Sequence, residues 1–178
     1  KQVKGIEMSF IYPIFAFFWA IVISIKYTSD RFRHGKFTGI LLYKLGIRSQ
    51  KIIPKKGKRV WIHATSYGET LSTKVLVSRL KEEDPNCQII FSAFTSAGYN
   101  LAKSFKGADQ VIILPIDLKF MMRRLVKAID ADLFILTESD YWYNLLTTVK
   151  SSNCPMMLIG GRVSDRSFAR FSKVPMFT

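Results

Sequence analysis

Apolar positions along this chain follow two rhythms, and the chain switches between them several times. Val60 to Ala64 is a short apolar run that breaks at the small polar turn Thr65-Ser66-Tyr67-Gly68. A run of that length bounded by turn residues predicts a buried strand, and the pattern from Glu69 to Lys81 predicts a helix. The alternation then repeats: a strand over Gln88–Phe94, a helix over Ala97–Phe105 and a strand over Gln110–Leu114. In the next stretch Leu118, Met121, Met122, Leu125, Val126 and Ile129 recur at three- and four-residue spacing, which predicts an amphipathic helix. Asp117 stands just before it as the expected N-cap. A strand over Leu133–Thr137, a helix marked by Trp142, Leu145, Leu146 and Val149, and a last strand over Pro155–Ile159 complete the series. Short apolar strands alternating with helices predict an α/β, Rossmann-like parallel sheet with helices on both faces.

The first part of the chain follows neither rhythm. Ser9 to Ile25 holds 17 residues without a charge, the short end of the range that spans a bilayer. Tyr12, Trp19 and Tyr27 suit the headgroup region, and Lys26, Arg31, Arg33 and Lys36 outnumber Lys1 and Lys4 across the run. The positive-inside rule then places the bulk of the chain in the cytoplasm. A signal peptide fits less well, because no small-x-small cleavage site follows, and an interfacial helix would need a polar face. Residues 50–58 are polar and basic, with Pro54 and Gly57, and read as a linker or turn. The expected organisation is an N-terminal membrane anchor (1–27), a basic juxtamembrane segment and linker (28–58), and a Rossmann-like domain (59–178).

Charge sharpens this picture. Of 178 residues, 27 are Lys or Arg and 13 are acidic, a net charge of +14. Eleven of the basic residues, against the single acid Asp30, lie between Lys26 and Arg59. A basic stretch beside an apolar run points to anionic lipid. It lacks the interleaved aromatics expected for single-stranded nucleic acid, so no nucleic-acid partner is expected. Cys87 and Cys154 have neither metal-ligand spacing nor partner histidines, and read as reduced apolar residues. With only His34 and His63 in the chain, no histidine metal site is expected.

The candidate chemistry sits in the loops that follow the strands. Gly68-Glu69 opens a helix after the first strand. A carboxylate there suits a general base that takes a proton from a hydroxyl; on pattern alone, simple charge–dipole stabilisation of a helix start is the favoured reading. Glu138, Ser139 and Asp140 follow the fourth strand at the same rim of the sheet, where one of them is expected to cap the next helix. After the last strand, Gly160-Gly161-Arg162-Val163-Ser164 lets the backbone approach a ligand, with Arg162 to clamp an anion and Ser164 as a donor. A plain turn with a surface arginine is the alternative. Thr95-Ser96-Ala97-Gly98 reads as ordinary capping, and His63 as a hydrogen-bonded core or rim residue. No G-x-G-x-x-G follows the first strand and no Walker loop is present, so no nucleotide cofactor is expected.

Together these loops resemble the Kdo (3-deoxy-D-manno-octulosonic acid) transferases of lipopolysaccharide assembly, membrane-associated glycosyltransferases of the two-domain GT-B fold. The family's His-x-x-Ser-x-Gly-Glu segment corresponds to His63-Ala64-Thr65-Ser66-Tyr67-Gly68-Glu69, and its Glu-Thr-Glu-Leu-Trp-Pro-Asn segment to Glu138-Ser139-Asp140-Tyr141-Trp142-Tyr143-Asn144. Its Asn-Ala-Arg-Leu-Ser-x-x-Ser segment corresponds to the run from Gly160 to Ser167, and a Pro-x-Asp to Pro115–Asp117. Asp140, Tyr143 and the Gly160-Gly161 pair depart from the family pattern.

The resemblance implies inverting transfer of Kdo from CMP-Kdo to a phosphorylated lipid A precursor, at the cytoplasmic face of the inner membrane. It also implies Glu69 as the catalytic base, with Ser66, Gly68, Glu138, Arg162 and Ser164 on the substrate. Family members carry a second domain that holds most of the donor. The present chain is therefore expected to be the acceptor-side half, inactive alone. A non-catalytic, membrane-anchored glycolipid-binding remnant and a GT-B glycosyltransferase for another sugar nucleotide are the competing readings.

Overall fold

The computed structural model describes Tyr12, residues 40–138 and residues 141–161. In chain order the elements are helix α1 (Ile40–Lys44), strand β1 (Arg59–Ala64), helices α2 (Tyr67–Ser72) and α3 (Lys74–Glu83), strand β2 (Gln88–Ala93), helix α4 (Ser96–Ala102), strand β3 (Gln110–Ile113), helix α5 (Lys119–Ile129), strand β4 (Leu133–Thr137), helix α6 (Tyr143–Ser151) and strand β5 (Met156–Ile159). The strands form one sheet in the order β3-β2-β1-β4-β5, with every neighbouring pair parallel. The chain starts at the central strand, moves outward through β2 and β3, and then crosses to β4 on the other side. The winding therefore reverses between β1 and β4, the switch point at whose carboxyl end open α/β sheets bind ligands.

The strands are continuous apolar runs because both of their faces are covered. All six residues of β1 and of β2 are buried. Alternate side chains divide between two cores, as a two-residue period requires. Trp61, Ile90, Ile112, Phe134 and Leu136 pack with Leu41 of α1, Met122, Val126 and Ile129 of α5, and Leu145 and Val149 of α6. Val60, Ile62, Ala64, Ile89, Phe91, Ala93 and Ile135 pack on the opposite face with Val77 of α3, Ala102 of α4, and Phe105. The expected cover thins over β5, where Met156, Met157 and Leu158 are 44%, 50% and 46% exposed.

Two sequence expectations change. The single helix expected over Glu69–Lys81 is two helices that meet at Thr73. The hydroxyls of Thr70, Ser72 and Thr73 donate to the carbonyls of Ser66, Glu69 and Thr70 at 2.7, 2.8 and 2.7 Å, and such local bonds compete with the regular ladder. Asp117 does not cap the helix that follows it; Leu118 holds that position without a side-chain cap. The Asp117 carboxylate instead accepts from the backbone N–H groups of Asn144 and Leu145, both at 2.8 Å, and so caps α6 from a distant part of the chain.

Residues 50–58 carry no helix or strand, and glutamine side chains fix them to the sheet. Gln50 pairs with the backbone of Ile113, donating at 2.7 Å and accepting at 2.8 Å, and so extends the ladder of edge strand β3. Gln110 accepts from Ile53 N–H at 3.0 Å, and Gln88 accepts from Lys56 N–H at 2.8 Å. Among the described residues no helix is long and apolar enough to cross a membrane. Apart from Tyr12, the expected anchor over 1–27 lies outside the described residues, as do residues 28–39 of the basic segment and the site residues Arg162 and Ser164.

Candidate active site

The loop leaving β1 reaches the switch point as a tightly bonded turn. Ser66 has extended backbone and is the N-cap of α2, and Glu69 is the third residue of that helix. Ser66 Oγ accepts from Glu69 N–H at 3.3 Å, while the Glu69 carboxylate reaches back to the cap, which together form a capping box. Glu69 Oε2 accepts from Thr65 N–H at 2.7 Å and from Ser66 N–H at 3.4 Å. Its Oε1 accepts from Ser66 Oγ at 3.0 Å. A carboxylate has about four lone-pair directions. Three are engaged, so the half-buried Glu69 keeps room for one more donor, such as a substrate hydroxyl. Gly68 is exposed, and a Cβ built on it would meet nothing within 4 Å. Packing therefore gives no reason for glycine at that position.

A second layer fixes this turn from below. Thr95 caps α4 by accepting from Gly98 N–H at 3.1 Å, as expected. Its backbone N–H and its hydroxyl also donate to Thr65 O, at 3.0 and 2.9 Å. A Cβ at Gly98 would stand 2.8 Å from Thr70 Oγ1 and 3.1 Å from Ser66 O, so the glycine lets α4 press against the turn that carries Glu69. His63 is fully buried in β1. Its Nδ1 lies 2.9 Å from Ser92 Oγ and 3.1 Å from Ser92 O, which assigns the proton to Nδ1. Burial pushes its pKa down to about 4, so the ring is neutral at pH 7 and belongs to the core.

The loop leaving β4 begins at Glu138, which is exposed and sits at φ 59, a left-handed conformation that side chains other than glycine adopt at some cost. Its N–H donates to Ile159 O at 2.8 Å, the last ladder bond to β5. Gly160, also left-handed at φ 64, turns the chain back so that a Cβ on it would lie 3.8 Å from Glu138 Cγ. The loops after β4 and β5 are therefore in contact, and the loop after β1 leaves the same carboxyl edge of the sheet, because β1 pairs parallel with β4, where Thr137 Oγ1 donates to His63 O at 2.9 Å. Trp142 packs on Phe94, with ring centroids 4.9 Å apart, and the buried Lys44 lies 4.1 Å above the same Phe94 ring. The roles of Thr65, Lys44 and Asp117 escaped the sequence reading, because each rests on a partner far away in the chain or on a backbone donor. A groove of about 540 Å³ runs between α5 and α6, and none of Ser66, Gly68, Glu69 and Glu138 lines it.

An all-parallel sheet whose switch point presents a glutamate held at a helix start defines a Rossmann-type ligand-binding domain. The chain belongs to the family described as 3-deoxy-D-manno-octulosonic-acid transferase (kdotransferase), whose profile matches residues 41–178. It is 30% identical over 171 residues to the 3-deoxy-D-manno-octulosonic acid transferase of Chlamydophila psittaci, covering 95% of this chain and 39% of that protein. It is 33% identical over 117 residues to the transferase of the same name from Haemophilus influenzae, with 65% and 27% covered. It is 32% identical over 123 residues to a bifunctional glycosyltransferase/methyltransferase of Fusobacterium nucleatum, with 67% and 19% covered. The chain thus spans 39% or less of the length of these curated relatives.

Proposed function

We propose that this chain is the acceptor-side domain of an inverting Kdo transferase. It presents a phosphorylated lipid A precursor to CMP-Kdo at the cytoplasmic face of the inner membrane. The observation that carries the reading is the Glu69 carboxylate, held by Thr65 and Ser66 at the switch point with one accepting direction open. In the proposed step an acceptor hydroxyl gives its proton to Glu69. The hydroxyl oxygen forms a bond to the anomeric carbon of Kdo, and the bond from that carbon to the phosphate oxygen breaks, with CMP leaving on the opposite face with the electron pair. Gly68 admits the acceptor close to the backbone, and Glu138 takes a sugar hydroxyl. Arg162 and Ser164 follow Gly161 in sequence and bind an anionic group of the substrate. A further domain, of the kind that would fill the remaining length of the relatives, holds most of the donor, and the run from Ser9 to Ile25 keeps the protein at the membrane.

The capping box favours one other reading. Glu69 has a structural task, so the turn would also exist in a non-catalytic glycolipid-binding module. Transfer from CMP-Kdo to the lipid acceptor, measured in a protein that joins this domain to its donor-binding partner, separates the two. Glu69→Ala lowers the rate by about 10²–10⁴-fold if the residue is the general base. A loss of less than tenfold removes it from the chemistry.

A further inference from the structure

The outward face of α5 is cationic along its length. Lys119, Phe120, Arg123, Arg124, Lys127 and Ala128 are exposed, while Met122, Val126 and Ile129 turn to the core. The helix holds no acid, and Lys119, Arg123 and Lys127 recur at four-residue spacing, about 6 Å apart along the axis. Like charges at that spacing oppose helix formation, so the fold gains nothing from them. None of the four cations makes an ion pair with a described residue.

Two large apolar side chains stand among these charges. Phe120 is 66% exposed, and Ile47, in the turn beside α5, is 71% exposed. Turn and helix are in contact, since a Cβ at Gly46 would stand 2.7 Å from Met121 Cε. A groove of about 510 Å³ between them is lined by Tyr43, Arg48, Lys51, Phe120 and Arg124. On the other flank Lys119, Arg123 and Lys127 line the groove between α5 and α6, and Asp130 at its far end is already paired with Lys55 at 3.3 Å. Exposed apolar side chains set among unpaired cations have no task in the fold. They match a bilayer of anionic lipid, which takes the apolar groups below its headgroups and the cations beside its phosphates. A nucleic acid matches the charge alone. Ile47 offers no stacking surface, and Phe120 is the one exposed aromatic ring on this face among the described residues.

We propose that the α5 face, with the turn at Ile47, is a docking surface for anionic phospholipid: Phe120 and Ile47 enter the headgroup layer, and Lys119, Arg123, Arg124 and Lys127 contact lipid phosphates. The folded domain thereby has a membrane contact of its own, separate from the anchor proposed for residues 9–25. Because α5 follows β3 in a parallel sheet, its first turn lies toward the carboxyl edge that carries the Glu69 turn. Docking by this face brings that edge near the lipid surface.

The test uses the full chain with Cys87→Ala and Cys154→Ala, carrying a polarity-sensitive fluorophore on Phe120→Cys. A control carries it on Val75→Cys of α3, which is 70% exposed on the opposite face of the sheet. With vesicles of phosphatidylcholine and phosphatidylglycerol, the label at 120 is expected to shift to the blue and to be quenched by brominated lipid, while the label at 75 does neither. Replacing Lys119, Arg123, Arg124 and Lys127 by Gln is expected to raise the lipid concentration for a half-maximal shift at least tenfold. Vesicles of phosphatidylcholine alone should give the parent the same loss. A chain that binds the vesicles while the label at 120 stays unshifted overturns the proposal and leaves anchoring by residues 9–25 standing. An equal response at 75, or an unchanged response in the four-Gln variant, overturns it as well. A response at 120 to a single-stranded oligonucleotide but not to vesicles makes the face a nucleic-acid site and overturns the lipid assignment.

Discussion

At the scale of single residues, the candidate site centres on one carboxylate with a structural task and a proposed catalytic one. Glu69 completes a capping box, and caps of this kind contribute about 1 kcal/mol to a protein. The same bonds hold its carboxylate steady at the rim. Gly68 and Glu138 show the reverse arrangement, a residue choice that folding does not ask for. A Cβ at Gly68 meets open space and the residue is helical, so Gly68→Ala is expected to raise stability by about 0.5–1 kcal/mol. The same variant is expected to weaken acceptor binding, seen as a higher KM, if the acceptor approaches the backbone there as proposed. Stability and KM measured together check this. Glu138 occupies a left-handed conformation that asparagine adopts more readily. Glu138→Asn should leave the unfolding free energy unchanged or slightly higher while lowering transfer at least tenfold, and a variant that is both active and more stable would remove Glu138 from the site.

At the scale of elements, β1 does most to organise the domain, and it also sets the expected response to acid. His63 has a folded pKa of about 4 against an ordinary value near 6.5. Above pH 6.5 neither state is protonated and its contribution to stability is fully present. As pH falls from 6.5 toward 4 the unfolded chain takes up the proton and the folded one does not, so stability on the order of 3 kcal/mol is lost across that window. Asp117 acts in the opposite sense. Burial raises its carboxyl above 3.8, so the folded state binds that proton first and gains as pH falls. Urea unfolding between pH 7 and pH 4 should show the loss, and His63→Asn, which cannot titrate there, should flatten it.

The strands and the switch-point loops were legible in sequence because continuous apolar runs ending in small polar turns have few other uses in a parallel sheet. The break at Thr73 was not, because it depends on hydroxyls bonding to local carbonyls that an apolar pattern does not record. Nor was the cap that Asp117 gives to α6, since it joins positions 27 and 28 residues apart. An acid just before a helix looks the same in sequence whichever helix it serves.

At the scale of the whole molecule, the basic stretch from Lys26 to Arg59 is not one uniform surface. Lys44 is buried against Phe94, and Lys55 pairs with Asp132 at 2.8 Å and Asp130 at 3.3 Å. Arg59 is 1% exposed and donates to Gln88 Oε1, Ile53 O and Ile129 O. These cations stitch the segment to the sheet. Composition showed the charge but not this division, which depends on which side chains turn inward. The fold places the Glu69 turn, Glu138 and the start of the Gly160-Gly161 loop along one carboxyl edge, and the turn's bonding holds the Glu69 carboxylate in place there. Glu69→Gln tests that account most directly, because glutamine at this position preserves a capping box and cannot serve as a base. Transfer rate and unfolding free energy should be measured side by side on this variant. The account predicts a rate lowered by about 10²–10⁴-fold with stability within about 1 kcal/mol of the parent. A rate within tenfold of the parent, with the fold equally intact, would contradict it.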